Sequence, residues 1–151
     1  IPGLHSAVAV ITDGSLRARL RAEMAGVVPE LEPIAKAATV AAFEGGQQWL
    51  DELLAYLGAN RDFLAEAVRT RLPGIRMVAP EGTYLGWLDC RQAHLGKPAY
   101  QFFLEEAKVA LNDGCSFGEG NEGYARLNFG CPRAILAQAL DRMAEAWARY
   151  A

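Results

Sequence analysis

Apolar positions along the chain change period several times, and each change predicts an element. Residues 7–11, AVAVI, form a short unbroken apolar run with β-branched members. That pattern predicts a strand buried on both faces. Thr12, Asp13 and Ser15 then supply capping groups, and Leu16, Leu20 and Met24 recur every fourth residue, which predicts an amphipathic helix ending at Gly26. Pro29 and Pro33 restart the chain. An alanine-rich helix is predicted over 34–43, broken at Gly45-Gly46. Leu50, Leu53, Leu57, Leu64, Val68 and Leu72 carry a helical stripe onward, with an interruption expected near Gly58 and a stop at Pro73-Gly74.

The period then shortens. IRMVAP (75–80) and TYLGWLDC (83–90) predict two strands joined tightly through Glu81-Gly82. Residues 98–107 read as a helix, VALN (109–112) as a short strand, 113–123 as a glycine-rich loop and YARLNFG (124–130) as an alternating strand. Pro132 is placed to begin a last helix, whose buried face carries Leu136, Leu140, Met143, Trp147 and Tyr150. The order β-α, long α, β-β, α, β-β, α predicts an α+β fold, a mostly antiparallel sheet covered by helices.

Composition adds bounds. The 151 residues suit one compact domain, with 52% apolar and 22% charged residues and a formal net charge of −3. The acidic balance argues against nucleic-acid binding, and no apolar run reaches the ~20 residues of a membrane span. Cys90, Cys115 and Cys131 match no zinc spacing, and their odd number disfavours a disulfide framework. Free thiols in a reducing cytoplasm are the expectation, and no metal ligands are assigned. The chain opens Ile1-Pro2-Gly3, without an initiator Met or a secretory leader, so a piece processed or excised from something longer is expected.

Two features invite chemistry. Gly118, Gly120 and Gly123 spell G-x-G-x-x-G. A dinucleotide site needs that motif between a strand and a helix N-terminus. Here a strand follows, and Glu119 and Glu122 stand where an anion would sit, so a nucleotide-binding reading is rejected and the glycines are assigned to backbone geometry. Arg126 is the second feature. Strand parity puts Ala125, Leu127 and Phe129 on one face and Tyr124, Arg126 and Asn128 on the other. A guanidinium in mid-strand suits a carboxylate held by two parallel hydrogen bonds; from spacing alone, an exposed or internally paired arginine is the favoured reading.

Three blocks in order, EGGQQWLDELLAYLGANRDFL, PGIRMVAPEGTYLGWLDCR and KVALNDGCSFGEGNEGYARLNFGCPRAILAQALDRM, cover most of the sequence. Together they resemble the C-terminal third of the pyridoxal-phosphate (PLP)-dependent MalY/PatB-like cystathionine β-lyases and aminotransferases, within the class I/II aminotransferases of fold type I. The opening Ile1-Pro2-Gly3-Leu4 resembles the Ile-x-Gly-Leu that follows the cofactor lysine in that group. The resemblance implies that residues 1–25 are the tail of the large PLP-binding domain and 26–151 the small C-terminal domain. It also implies that the Schiff-base lysine lies four residues before Ile1, so that this chain holds no catalytic residue, binds no cofactor by itself and is inactive alone.

For the full-length parent the resemblance implies PLP, an amino-acid or thioether substrate, a homodimer, and no nucleic-acid or membrane partner. Arg126 would bind the substrate α-carboxylate, with Tyr84 and Phe117 nearby on the substrate side; strand parity adds Asn128 as the residue orienting Arg126. His5 would approach the cofactor phosphate. The competing reading is a stand-alone, non-catalytic interaction or dimerisation module built on the same small domain.

Overall fold

A computed structural model describes residues 3–150; Ile1 and Pro2 of the opening Ile-x-Gly-Leu block lie outside the described residues. The chain falls into two compact units, Ile1–Glu52 and Leu53–Ala151.

In the first unit, helix α1 spans Gly14–Met24. Asp13 caps it: its carboxylate accepts from the Leu16 N–H at 2.8 Å, satisfying an amide that has no partner inside the helix. Helix α2 spans Pro33–Gly45, with proline at the first turn and Gly46 as its C-cap. Ser6 and Thr39 hydroxyls lie 2.7 Å apart and tie the N-terminal segment to α2. The strand expected at 7–11 is not formed. That segment is irregular and largely exposed, with Val8 and Val10 open to solvent. Apolar content alone does not make a strand; its N–H and C=O groups need a neighbouring ladder, and the described residues of this unit contain no strand. The α1 stripe is exposed too at Leu16, Leu20 and Met24.

Helix α3 runs from Gln47 to Arg71 without a break. The interruption expected at Gly58 does not occur, because one interior glycine costs only about 1 kcal/mol. From Leu53 onward the helix belongs to the second unit and buries Asn60, Leu64, Ala67 and Val68. Beyond Pro73-Gly74 lie strands β1 (Arg76–Met77) and β2 (Leu85–Asp89), then the short helix α4 (Ala99–Phe102), continued by a π-helical turn at Phe103–Ala107. Strand β3 (Asn112–Asp113), a 3-10 turn (Gly114–Phe117), β4 (Tyr124–Asn128) and α5 (Arg133–Tyr150) complete the unit. The strands form one antiparallel sheet in the order β1-β2-β4-β3. This is the expected α+β arrangement, with shorter edge strands than the periodicity suggested. Pro132 sits one residue before α5, where its carbonyl accepts from Ile135 and Leu136.

The sheet is two-faced. Gly86 and Leu88 of β2 and Ala125 and Leu127 of β4 are buried, packed into a core with Leu64, Phe102, Leu140 and Met143. Residues of the opposite parity, Leu85, Trp87 and Asp89 with Tyr124, Arg126 and Asn128, pair across β2 and β4 on the open face. The alternation that puts Leu127 inside therefore puts Arg126 outside.

Candidate functional site

Arg126 is half-buried at the centre of that open face, with Trp87 as its cross-strand partner on β2 and Asn112 on β3. Its guanidinium carbon lies 4.2 Å from the centroid of Phe117, a cation–π stack. Phe117 meets Trp87 edge-on at 5.6 Å, and Trp87 stacks on Tyr124 at 5.7 Å. Arg91 closes the row above Tyr124 at 4.7 Å. Three aromatic rings thus stand in line between two guanidinium groups.

The two arginines differ in charge balance. Arg91 is neutralised by Asp89, to which it donates from Nε and Nη2 at 2.9 and 2.8 Å. The Arg91 hydrogen bonds hold the Asp89 carboxyl below its ordinary value, and Arg91 itself is pushed up. Arg126 forms no ion pair among the described residues. Its partner is neutral: Asn112 Oδ1 accepts from Nε at 3.4 Å and from Nη2 at 3.1 Å. Arg126 is thus an uncompensated, oriented, partly desolvated cation on the open face.

The glycine loop builds the support for Phe117. Asp113 caps the 3-10 turn by accepting from the Cys115 N–H at 3.2 Å. Gly118, Gly120 and Gly123 all have positive φ, as their assignment to backbone geometry requires. Gly114 is needed for a different reason: a Cβ there would lie 2.5 Å from the Asn121 carbonyl oxygen.

The other sequence-assigned residues fare differently. Asn128 accepts from the Gly130 N–H through Oδ1 at 2.8 Å, and the Arg126 side-chain hydrogen bonds go to Asn112. The sequence reading missed Asn112, which accepts both hydrogen bonds, as it missed Trp87. The VALN block was visible, but only the β3–β4 register places its last residue beside Arg126. Tyr84 is exposed and, with Tyr56, Leu57, Cys131 and Pro132, lines an apolar recess of about 350 Å³. His5 belongs to the first unit and borders a groove of about 840 Å³ with Arg21, Met24, Val28 and Leu31.

One buried polar group fixes the chain leaving β4. Asn60 is fully buried; its Nδ2 donates to the carbonyls of Phe129 (3.0 Å) and Cys131 (2.9 Å), and its Oδ1 accepts from Arg133 Nε (2.7 Å).

The whole arrangement matches a known sequence pattern. The family model for aminotransferase class I and II aligns with residues 2–143. The chain belongs to the class I and II aminotransferases. Among relatives, the cystathionine beta-lyase PatB of Bacillus subtilis is 35% identical over 145 residues, covering 95% of this chain and 38% of PatB. A crystal structure of OvoB is 44% identical with a TM-score of 0.86, covering 95% of this chain and 37% of that one. The PLP-bound C-S lyase of Staphylococcus hominis is 27% identical with a TM-score of 0.78, covering 92% and 37%. The chain thus spans less than two fifths of the length of these relatives, and its fold is that of part of a fold type I PLP enzyme.

PLP needs a covalent lysine anchor, and the lysines of this chain do not fit that role. Lys36, Lys97 and Lys108 are all exposed. Lys97 is paired with Glu105 at 2.6 Å, which raises its pKa rather than freeing the amine, and Lys108 donates to the Glu105 carbonyl. Burial pushes the Cys90 thiol up to about 12, and burial and Asp113 also raise Cys115.

Proposed function

We propose that this chain is the C-terminal part of a PLP-dependent carbon–sulfur β-lyase or aminotransferase, in which Arg126 binds the substrate α-carboxylate. The observation that carries the reading is the charge state of Arg126. An arginine held by a neutral amide and an aromatic ring, with no carboxylate of its own, is prepared for an incoming anion. In that family PLP is the electron sink; the contribution of this chain is to hold the substrate in register. Phe117 packs against the guanidinium, and Tyr84 offers a contact on the substrate side. Residues 1–25, including His5, are assigned to the tail of the large domain and 26–151 to the small domain. The cofactor lysine is then supplied by the remainder of a longer protein, and the chain alone has no lyase or transaminase turnover.

Three free cysteines support a reducing, cytoplasmic setting, and among the described residues no helix is long and apolar enough to cross a membrane. Exposed apolar side chains such as Val10 and Phe43 support burial against further protein, including the second subunit of a homodimer.

The test is Arg126→Ala in the full-length protein carrying this chain. Two charge-assisted hydrogen bonds at about 1.5–3 kcal/mol each correspond to a loss of roughly 10²–10⁴ in kcat/KM, with PLP still bound. Unchanged kinetics would remove Arg126 from the site.

A further inference from the structure

Which part of the Arg126 guanidinium is left for a ligand follows from the atoms already engaged. A guanidinium offers a carboxylate two parallel forks: a side fork, Nε–H with one Nη2–H, and an end fork, Nη1–H with the other Nη2–H. A single oxygen, Asn112 Oδ1, occupies the side fork, 3.4 Å from Nε and 3.1 Å from Nη2. The Phe117 ring centroid stands 4.2 Å from the guanidinium carbon, and Trp87 meets that ring edge-on. With its side edge engaged, the group has one bidentate position left, the end fork.

The chemistry of the holder matters as much as its place. Asn112 pairs directly with Arg126 in the β3–β4 ladder, so its side chain is delivered by backbone register. An aspartate there would accept the same two hydrogen bonds, as Asp89 does from Arg91 on the same sheet face. It would also cancel the charge. An amide holds the edge and leaves the cation at full strength.

We propose that Asn112 is a positioning residue: it occupies the Nε/Nη2 edge of Arg126 so that the Nη1/Nη2 end receives the substrate carboxylate, and its neutrality preserves the charge that attracts it. This rests on the reading of Arg126 as the carboxylate grip.

The test uses the full-length protein carrying this chain, loaded with PLP, and two probes, L-alanine and L-alaninamide, which differ in a carboxylate against a neutral amide. The Kd of each is read from the change in cofactor absorbance. Asn112→Ala lowers the carboxylate-to-amide preference about 3–10-fold, the worth of one hydrogen-bonded restraint. Asn112→Asp lowers it further, about 10–100-fold, by placing a competing carboxylate on the same guanidinium. Alaninamide binding moves by less than about twofold in Asn112→Ala, and neither substitution has a further effect in an Arg126→Ala background. In the cofactor-free protein the Arg126 Nε–H NMR signal is protected from exchange with water, and Asn112→Ala removes the protection.

If Arg126→Ala abolishes the preference while both Asn112 variants keep it, the positioning role is overturned and the Arg126 reading stands. If Asn112→Ala weakens both probes equally, Asn112 serves the fold and not the grip. A preference that survives Arg126→Ala overturns the grip itself, and the positioning role with it.

Discussion

Replacing Asn60 by alanine removes the one fully buried amide that joins α3 to the turn between β4 and α5. Three hydrogen bonds disappear together, to the carbonyls of Phe129 and Cys131 and from Arg133 Nε. A buried polar group left without a partner costs about 1–3 kcal/mol. Cys131 and Arg133 are only partly buried, so water can restore some of their bonds, whereas Phe129 is buried. The expected loss is therefore about 2–4 kcal/mol, dominated by the Phe129 carbonyl. Urea unfolding of wild type and Asn60→Ala at constant m-value measures it. Asn60→Asp provides the sharper control. It keeps the acceptor for Arg133 but turns an oxygen toward two carbonyls, so it should destabilise at neutral pH although its shape is nearly unchanged. A loss below about 1 kcal/mol in both variants would refute the account of this turn, because it would mean that water replaces all three bonds.

Gly114→Ala should lose about 1–3 kcal/mol, since its Cβ would stand 2.5 and 2.7 Å from the Asn121 and Tyr124 carbonyl oxygens and the backbone would have to move; thermal or urea unfolding measures it. Lys108→Gly should instead gain up to about 1 kcal/mol, because Lys108 ends the π-helical turn in the left-handed region at φ 56°. Asp89 sets a pH dependence. Chiefly through the Arg91 hydrogen bond its folded pKa lies below the unfolded value, so its stabilising contribution is complete above roughly pH 4 and is lost as pH falls through the lower folded value. Stability followed by urea unfolding from pH 6 to 2 should fall less steeply in Asp89→Asn than in wild type.

How much of this was legible in the sequence depends on what each feature rests on. Strand parity alone placed Arg126 opposite Leu127, because alternation is local and Leu127 had a core to reach. The stop at Pro73-Gly74 is local as well, and so is the Asp13 cap. The 7–11 run misled because a strand is defined by a partner, and the described residues of its unit hold none. Gly58 misled because its modest cost is outweighed along a 25-residue helix. Asn128 came from strand parity, which says nothing of the neighbouring strand. The amide that accepts from Arg126, Asn112, stands 14 residues away, brought alongside by antiparallel pairing across the glycine loop. Asn60 lies still further off, 69 residues from the carbonyl it binds.

The family resemblance supplied what periodicity could not, a role for the uncompensated cation. That role is tested most directly by the carboxylate preference of the full-length, PLP-loaded protein before and after Arg126→Ala. If Arg126 is the grip, L-alanine binding weakens by about 10²–10⁴-fold while L-alaninamide binding and PLP occupancy hold. Equal weakening of both probes, or none, would contradict it.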